Sequence, residues 1–233
     1  MFDPTTPYID PNLFPQQDWS STVYAVDGEL KEKIPDDLPT PHGKGFIMRV
    51  FVDLDHAGDS VTRRSRTGYL VYLQESLIYY SSKKQTGVET SSFGSEFMAM
   101  KHATEYVRGL RYKLRAMGIP VNGPTYVFGD NQSVLANTTV PHSQLKKKSN
   151  SVAYHHCREG SAFDEWRTTY INTHNNPSDL LTKALPPGEK RSRFCKSLLH
   201  HIELSEADKI VPAAAAAAVQ LSSGWIKTII DSL

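Results

Sequence analysis

The chain has 233 residues, 39% of them hydrophobic, enough for one sizeable mixed α/β domain with extensions. Its net charge of +1 conceals an asymmetry: residues 1–45 carry three lysines against eight acids, so the remainder is mildly basic. Two cysteines give neither a disulfide framework nor a metal-ligand pair, and no apolar run approaches the roughly 18 residues of a membrane span. With no charged-then-apolar leader, an intracellular protein in a reducing compartment is expected, cytoplasmic or nuclear, without a membrane partner.

Seven of the 14 prolines fall within the first 41 residues, a density that rules out long helices and central strands there. Residues 1–44 therefore read as a proline-rich arm or connection, whose aromatics Phe2, Tyr8, Phe14, Trp19 and Tyr24 suit it to lie on a domain surface. From residue 45 the pattern changes. Residues 47–53 read as a buried strand, and 67–73 and 77–81 as two more, joined by a turn around Gln74–Ser76; such close spacing implies an antiparallel meander. A helix over 91–117 follows, with Met100, Ala103, Val107, Leu110 and Leu114 as its apolar stripe and Gly118 and Pro120 as its stop. Residues 126–128 predict a fourth strand and 133–137 a short helix. The basic loop Lys146–Lys148 leads into a helix over 151–163, and a fifth short strand covers 169–171. Asn176-Pro177-Ser178 opens a last helix with proline in its first turn. The order is βββαβαβα, placing a domain over 45–204 and a tail over 205–233 whose six alanines at 213–218 offer no chemistry.

Four acids stand out against this pattern. Asp53 ends the first strand with the parity of Phe51, and Asp130 follows the fourth with the parity of Phe128 and Tyr126. Glu96 lies four residues before Met100, on the core-facing stripe of the long helix. Asp179 sits at the start of the last helix. Each has a bland reading: aspartate commonly opens a turn after a strand, and acids are favoured in the first turn of a helix. Brought together, four carboxylates repel one another unless a cation intervenes, and an all-oxygen donor set suits a hard divalent ion such as Mg²⁺.

The same residues sit in motifs that carry a resemblance. Val52 to Asp59, then Arg63-Arg64-Ser65 and Thr67-Gly68-Tyr69, resemble the start of the ribonuclease H domain of copia-type LTR retrotransposon polyproteins. The likeness continues in order through Ser81-Ser82-Lys83-Lys84-Gln85, Ser95-Glu96-Phe97-Met98-Ala99, Asp130-Asn131-Gln132-Ser133 and Asp179-Leu180-Leu181-Thr182-Lys183, over about 46 to 186. Where that family carries Asp-Ala-Asp-Trp, this chain has Asp53-Leu54-Asp55-His56, a change beside the acid and not of it.

The resemblance implies a ribonuclease H-like fold, a five-stranded mixed sheet flanked by helices, and cleavage of the RNA strand of an RNA–DNA hybrid. Asp53, Glu96, Asp130 and Asp179 would be catalytic metal ligands for two Mg²⁺ ions, with Mn²⁺ able to substitute. Asp53 would bridge the pair, Glu96 and Asp130 would join one ion and Asp179 the other. Arg63, Arg64, Lys83, Lys84, Lys146, Lys147 and Lys148 would contact phosphates, while Asn131 and Gln132 reach sugar edges. An upstream reverse transcriptase domain is the implied partner. The rival expectation is a catalytically silent, nucleic-acid-binding remnant of such a polyprotein.

Overall fold

The computed structural model describes residues 5–25, 28–89, 91–145 and 148–198. Lys146, Lys147 and the tail over 205–233 lie outside these. The chain divides into two compact units, Met1–Phe194 and Cys195–Leu233, and the first contains the sheet and every carboxylate singled out above.

Five strands, β1 (Met48–Asp55), β2 (Arg66–Leu73), β3 (Ser76–Lys84), β4 (Thr125–Gly129) and β5 (Trp166–Tyr170), form one sheet in the order β3-β2-β1-β4-β5. β1, β2 and β3 are the expected antiparallel meander, whereas β4 runs parallel to β1 and β5 parallel to β4. The sheet is mixed because the first three strands are joined by tight loops, while β4 and β5 are each reached through helical crossovers. Alternation along β1 sends Met48, Val50, Val52 and Leu54 into one core with Val71, Val127 and the apolar stripe of helix α1 (Ser92–Ala116). Helices α2 (Gln132–Thr139) and α3 (Ser151–Ala162) supply Leu135, Ala153 and Cys157 to that core. Ser91 caps α1 by accepting a hydrogen bond from the Gly94 amide, and Gly118 at φ +71° ends it.

The opposite face carries Phe51, stacked on Phe128 with ring centroids 4.8 Å apart, and, further along β1, Asp53. The arm covers part of this face. Phe14, 2% exposed, meets Tyr126 and Phe128 edge-on at 4.8 and 5.3 Å. Trp19, 4% exposed, lies 4.8 Å from the guanidinium of Arg158, which also faces Tyr154 and donates to the Asn137 and Val140 carbonyls at 2.9 and 2.8 Å. Glu32 accepts from Arg111 Nε and Nη2 at 3.0 and 2.6 Å and from Arg115, tying the arm to α1.

Two expectations need correction. The fifth strand begins at Trp166 and ends at Tyr170, three residues before the start read from the β-branched run, because Trp166 is fully buried and anchors the register. The helix expected to open at Asn176-Pro177-Ser178, α4 (Asp179–Thr182), has only four residues and starts after Pro177. The Asn176 side-chain nitrogen donates to the Val52 carbonyl of β1 at 2.8 Å, while its oxygen accepts from the Ser178 amide at 3.2 Å, just ahead of the helix. Asp179 is thus the first helical residue. A further helix, α5 (Glu189–Leu198), follows, and among the described residues no helix is long and apolar enough to cross a membrane.

Candidate metal centre

Asp53 is held by the last part of β1, and its cross-strand partner is Gly68. A Cβ on Gly68 would stand 2.6 Å from Thr182 Cγ2 and 2.8 Å from Leu181 Cβ. The missing side chain is therefore what lets α4 lie against β2, which brings its first residue, Asp179, beside Asp53. Asp130 comes directly off the end of β4. One carboxylate oxygen from each of Asp53, Asp130 and Asp179 lies within 4.8 Å of the others. Glu96, in the first turns of α1, stands outside this tight group but is electrically part of it, since Asp130 and Asp53 both act on its charge.

The carboxylates are held by fixed donors. Thr182 Oγ1 donates to Asp53 Oδ2, and Thr173 Oγ1 donates to Asp130 Oδ2 at 2.9 Å. Lys183 Nζ reaches Asp53 Oδ1 at 3.2 Å and Asp179 Oδ1 at 2.6 Å, while Lys190 pairs with the other oxygen of Asp179. Asp179 is completely buried, and the hydrogen bonds from Lys183 and Lys190 outweigh burial to keep its carboxyl below the ordinary range. Asp53 behaves oppositely. Burial, reinforced by the charges of Asp179 and Asp130, pushes it up to about 6 despite Thr182 and Lys183. Burial and the charge of Asp130 push Glu96 up to about 7. Carboxylates raised in this way carry uncompensated negative charge, and their all-oxygen donor set fits a hard divalent cation.

The remaining sequence-selected residues surround this centre unevenly. Arg63 and Arg64 are exposed in the loop after β1, with Arg63 at φ +54° and its amide bonded to the Asp59 carbonyl at 2.8 Å. Lys83 and Lys84 end β3 and line a cavity of about 250 Å³ with Thr86 and His102; Lys84 also pairs with Asp59. Asn131 spends its side-chain oxygen capping α2, accepting from the Ser133 and Val134 amides at 3.0 and 3.1 Å, and its side chain partly offsets the upward push on Glu96. Gln132 and Lys148 are exposed. Sequence reasoning assigned no role to Thr173, Thr182, Lys183 or Lys190. Helical spacing from Asp179 already places Thr182 and Lys183 on its face, whereas nothing local marks Thr173 or Lys190.

No family model matches the chain. It is 31% identical over 145 residues to the retrovirus-related Pol polyprotein from transposon RE2 of Arabidopsis thaliana, an overlap of 61% of this chain and 10% of that protein. To the corresponding polyprotein from transposon TNT 1-94 of Nicotiana tabacum it is 29% identical over 157 residues, covering 67% of this chain and 12% of that one. The chain thus spans about a tenth of the length of these relatives. Among solved structures, the RNase H1 of Halobacterium salinarum NRC-1 is similar with a TM-score of 0.45 and 14% identity, over 58% of this chain and 93% of that one. A segment of a retrovirus-related transposon Pol polyprotein is the kind of sequence to which this chain is homologous.

Proposed function

We propose that this chain is a metal-dependent endoribonuclease that hydrolyses the RNA strand of RNA–DNA hybrids. The observation that carries the reading is the convergence of Asp53, Asp130 and Asp179, from three separate elements, onto one spot with oxygens within 4.8 Å. Homology to transposon Pol polyproteins and the ordered motifs around those acids support the choice of substrate. Asp53, Glu96, Asp130 and Asp179 would hold Mg²⁺, or Mn²⁺ in its place, in the two-ion arrangement that the resemblance implies. Ions held there would supply acidification of the attacking water and charge to balance the departing 3′ oxygen.

The chain's own residues do the rest. Thr182 and Thr173 fix the carboxylates of Asp53 and Asp130, so neither needs reorienting when a ligand arrives. Arg63, Arg64, Lys83, Lys84 and Lys148 offer exposed positive charge to the phosphate backbone, which makes hybrid affinity fall with salt. Lys146 and Lys147, outside the described residues, would extend that surface. Asn131 and Gln132, directly after Asp130, would read 2′-hydroxyls in the wide minor groove. A reverse transcriptase domain of the same polyprotein is the natural partner for delivering the hybrid.

One observation favours the silent remnant as a second reading: Lys183 and Lys190 already satisfy Asp179, as a purely structural ion-pair network would. Incubating the purified chain with end-labelled hybrid, duplex DNA and duplex RNA separates the two. The nuclease reading expects cutting of the hybrid's RNA strand alone, dependent on Mg²⁺ or Mn²⁺. Salt-sensitive hybrid binding with no cutting in either metal would decide for the remnant.

A further inference from the structure

The acidic cluster is lopsided. On one side, both oxygens of Asp179 and one of Asp53 are occupied by ammonium groups, and the other Asp53 oxygen by the Thr182 hydroxyl. On the other side, Asp130 accepts from the Thr173 hydroxyl, and among the described residues no lysine or arginine pairs with Asp130 or Glu96. Four carboxylates face two ammonium groups, so one divalent cation completes neutralisation. A second adds excess positive charge unless an ammonium leaves.

We infer that Lys183 is a built-in competitor of the second metal ion: the Asp53–Asp179 side takes a divalent cation only by displacing its ammonium group, whereas the Asp130–Glu96 side takes one directly. This rests on the metal-dependent reading of the site. Lys183 is suited to yield. It lies four residues from Asp179, its side chain is 35% exposed, and its four-carbon stem can swing the head group into water by rotamer changes alone. Lys190 contacts only Asp179 of the two aspartates, so it does not stand between them. Asp53 and Asp179 are fixed by β1 and by the packing of α4 on Gly68, so the ammonium and not the backbone is what moves. Loading is therefore stepwise, with a tight first ion and a weak second one.

Isothermal titration calorimetry of the full chain with Mn²⁺, without nucleic acid, tests this directly. Adjacent charges shift a carboxylate's proton affinity by roughly 10- to 1,000-fold, and a divalent ion feels at least the lower figure. The unaltered chain should show two steps, the second weaker by about tenfold or more. Lys183→Met should strengthen that second step by a similar factor, and Lys183→Arg, which keeps the charge, should leave it weak. Two equal steps in the unaltered chain would overturn the inference even if Lys183→Met failed to fold, as would a weak step that Lys183→Met leaves unchanged. Either result spares the carboxylate site. Absence of any Mn²⁺ binding by the unaltered chain would overturn both.

Discussion

Asp53 and Glu96 are carboxyl groups that burial favours in their protonated form, and this has a pH signature. Both have folded-state values, about 6 and about 7, above the ordinary 3.8 and 4.5. Their contribution to stability is thus fully present below about pH 4 and is lost as pH rises through the folded values. In chelator-treated protein, Glu96→Gln should remove part of that loss, so thermal melts of the variant and wild type converge at low pH and separate in the variant's favour toward pH 8. Parallel curves would contradict the assignment. Thr182→Val removes the hydroxyl that fixes Asp53, and loss of such an outer partner typically weakens metal binding by about 10–100-fold. Strand parity marked Asp53 and Asp130, which the fold brings together, and the helical stripe marked Glu96, which stands outside the tight group. The role of Lys183 was not legible in the sequence, because an ammonium group shows its partner only after β1 and α4 have come together.

Elements explain why so short a helix as α4 has a fixed place. Gly68→Ala sets a methyl group against Thr182 and Leu181, and overpacking of this kind costs about 1–3 kcal/mol. Because the strain falls on the helix that carries Asp179, Mn²⁺ affinity should fall along with stability. Gly160→Ala, whose methyl would enter the ring of buried Trp166, should lose stability by a comparable or larger amount and leave metal affinity unchanged. Gly109→Ala, with nothing within 4 Å in α1, is the matched control and should gain up to about 1 kcal/mol. Denaturant titrations read all three. The strands β1 and β2 and the helix α1 were visible as periodic runs. β5 was misplaced because its deepest residue, Trp166, precedes the β-branched stretch used to find it, and α4 starts later than expected, with Asn176 tied to β1 across 124 residues ahead of it.

At the scale of the molecule, the arm is built into the folded unit. Its proline density correctly excluded long helices and central strands: before β1 the described residues hold one short 3-10 helix, Pro11–Leu13. What the sequence could not show is where the arm goes, since every contact that fixes it is long-range. Phe14→Ala and Trp19→Ala should each cost about 3–5 kcal/mol. Glu32→Gln leaves buried Arg111 without its charge partner, at a cost of up to about 3–5 kcal/mol. Deleting residues 1–44 should therefore lower the melting temperature sharply, and a truncated chain that melts like the full one would show these contacts to be superficial. The acidic arm meeting Arg111 and Arg115 also accounts for part of the charge asymmetry between arm and remainder.

We propose Asp130 and its neighbours as the reacting centre of a hybrid-specific nuclease. Wild type and Asp130→Asn, compared on one labelled RNA–DNA hybrid in Mg²⁺ and Mn²⁺, test it with binding measured alongside cleavage. Wild type should cut the RNA strand in a metal-dependent way, with cutting reduced at least about a hundredfold in the variant, the upper end of what losing even an outer partner of a ligand costs. Hybrid affinity in the variant should be undiminished. Equal cutting by both proteins, or none by either while both bind the hybrid, would contradict it.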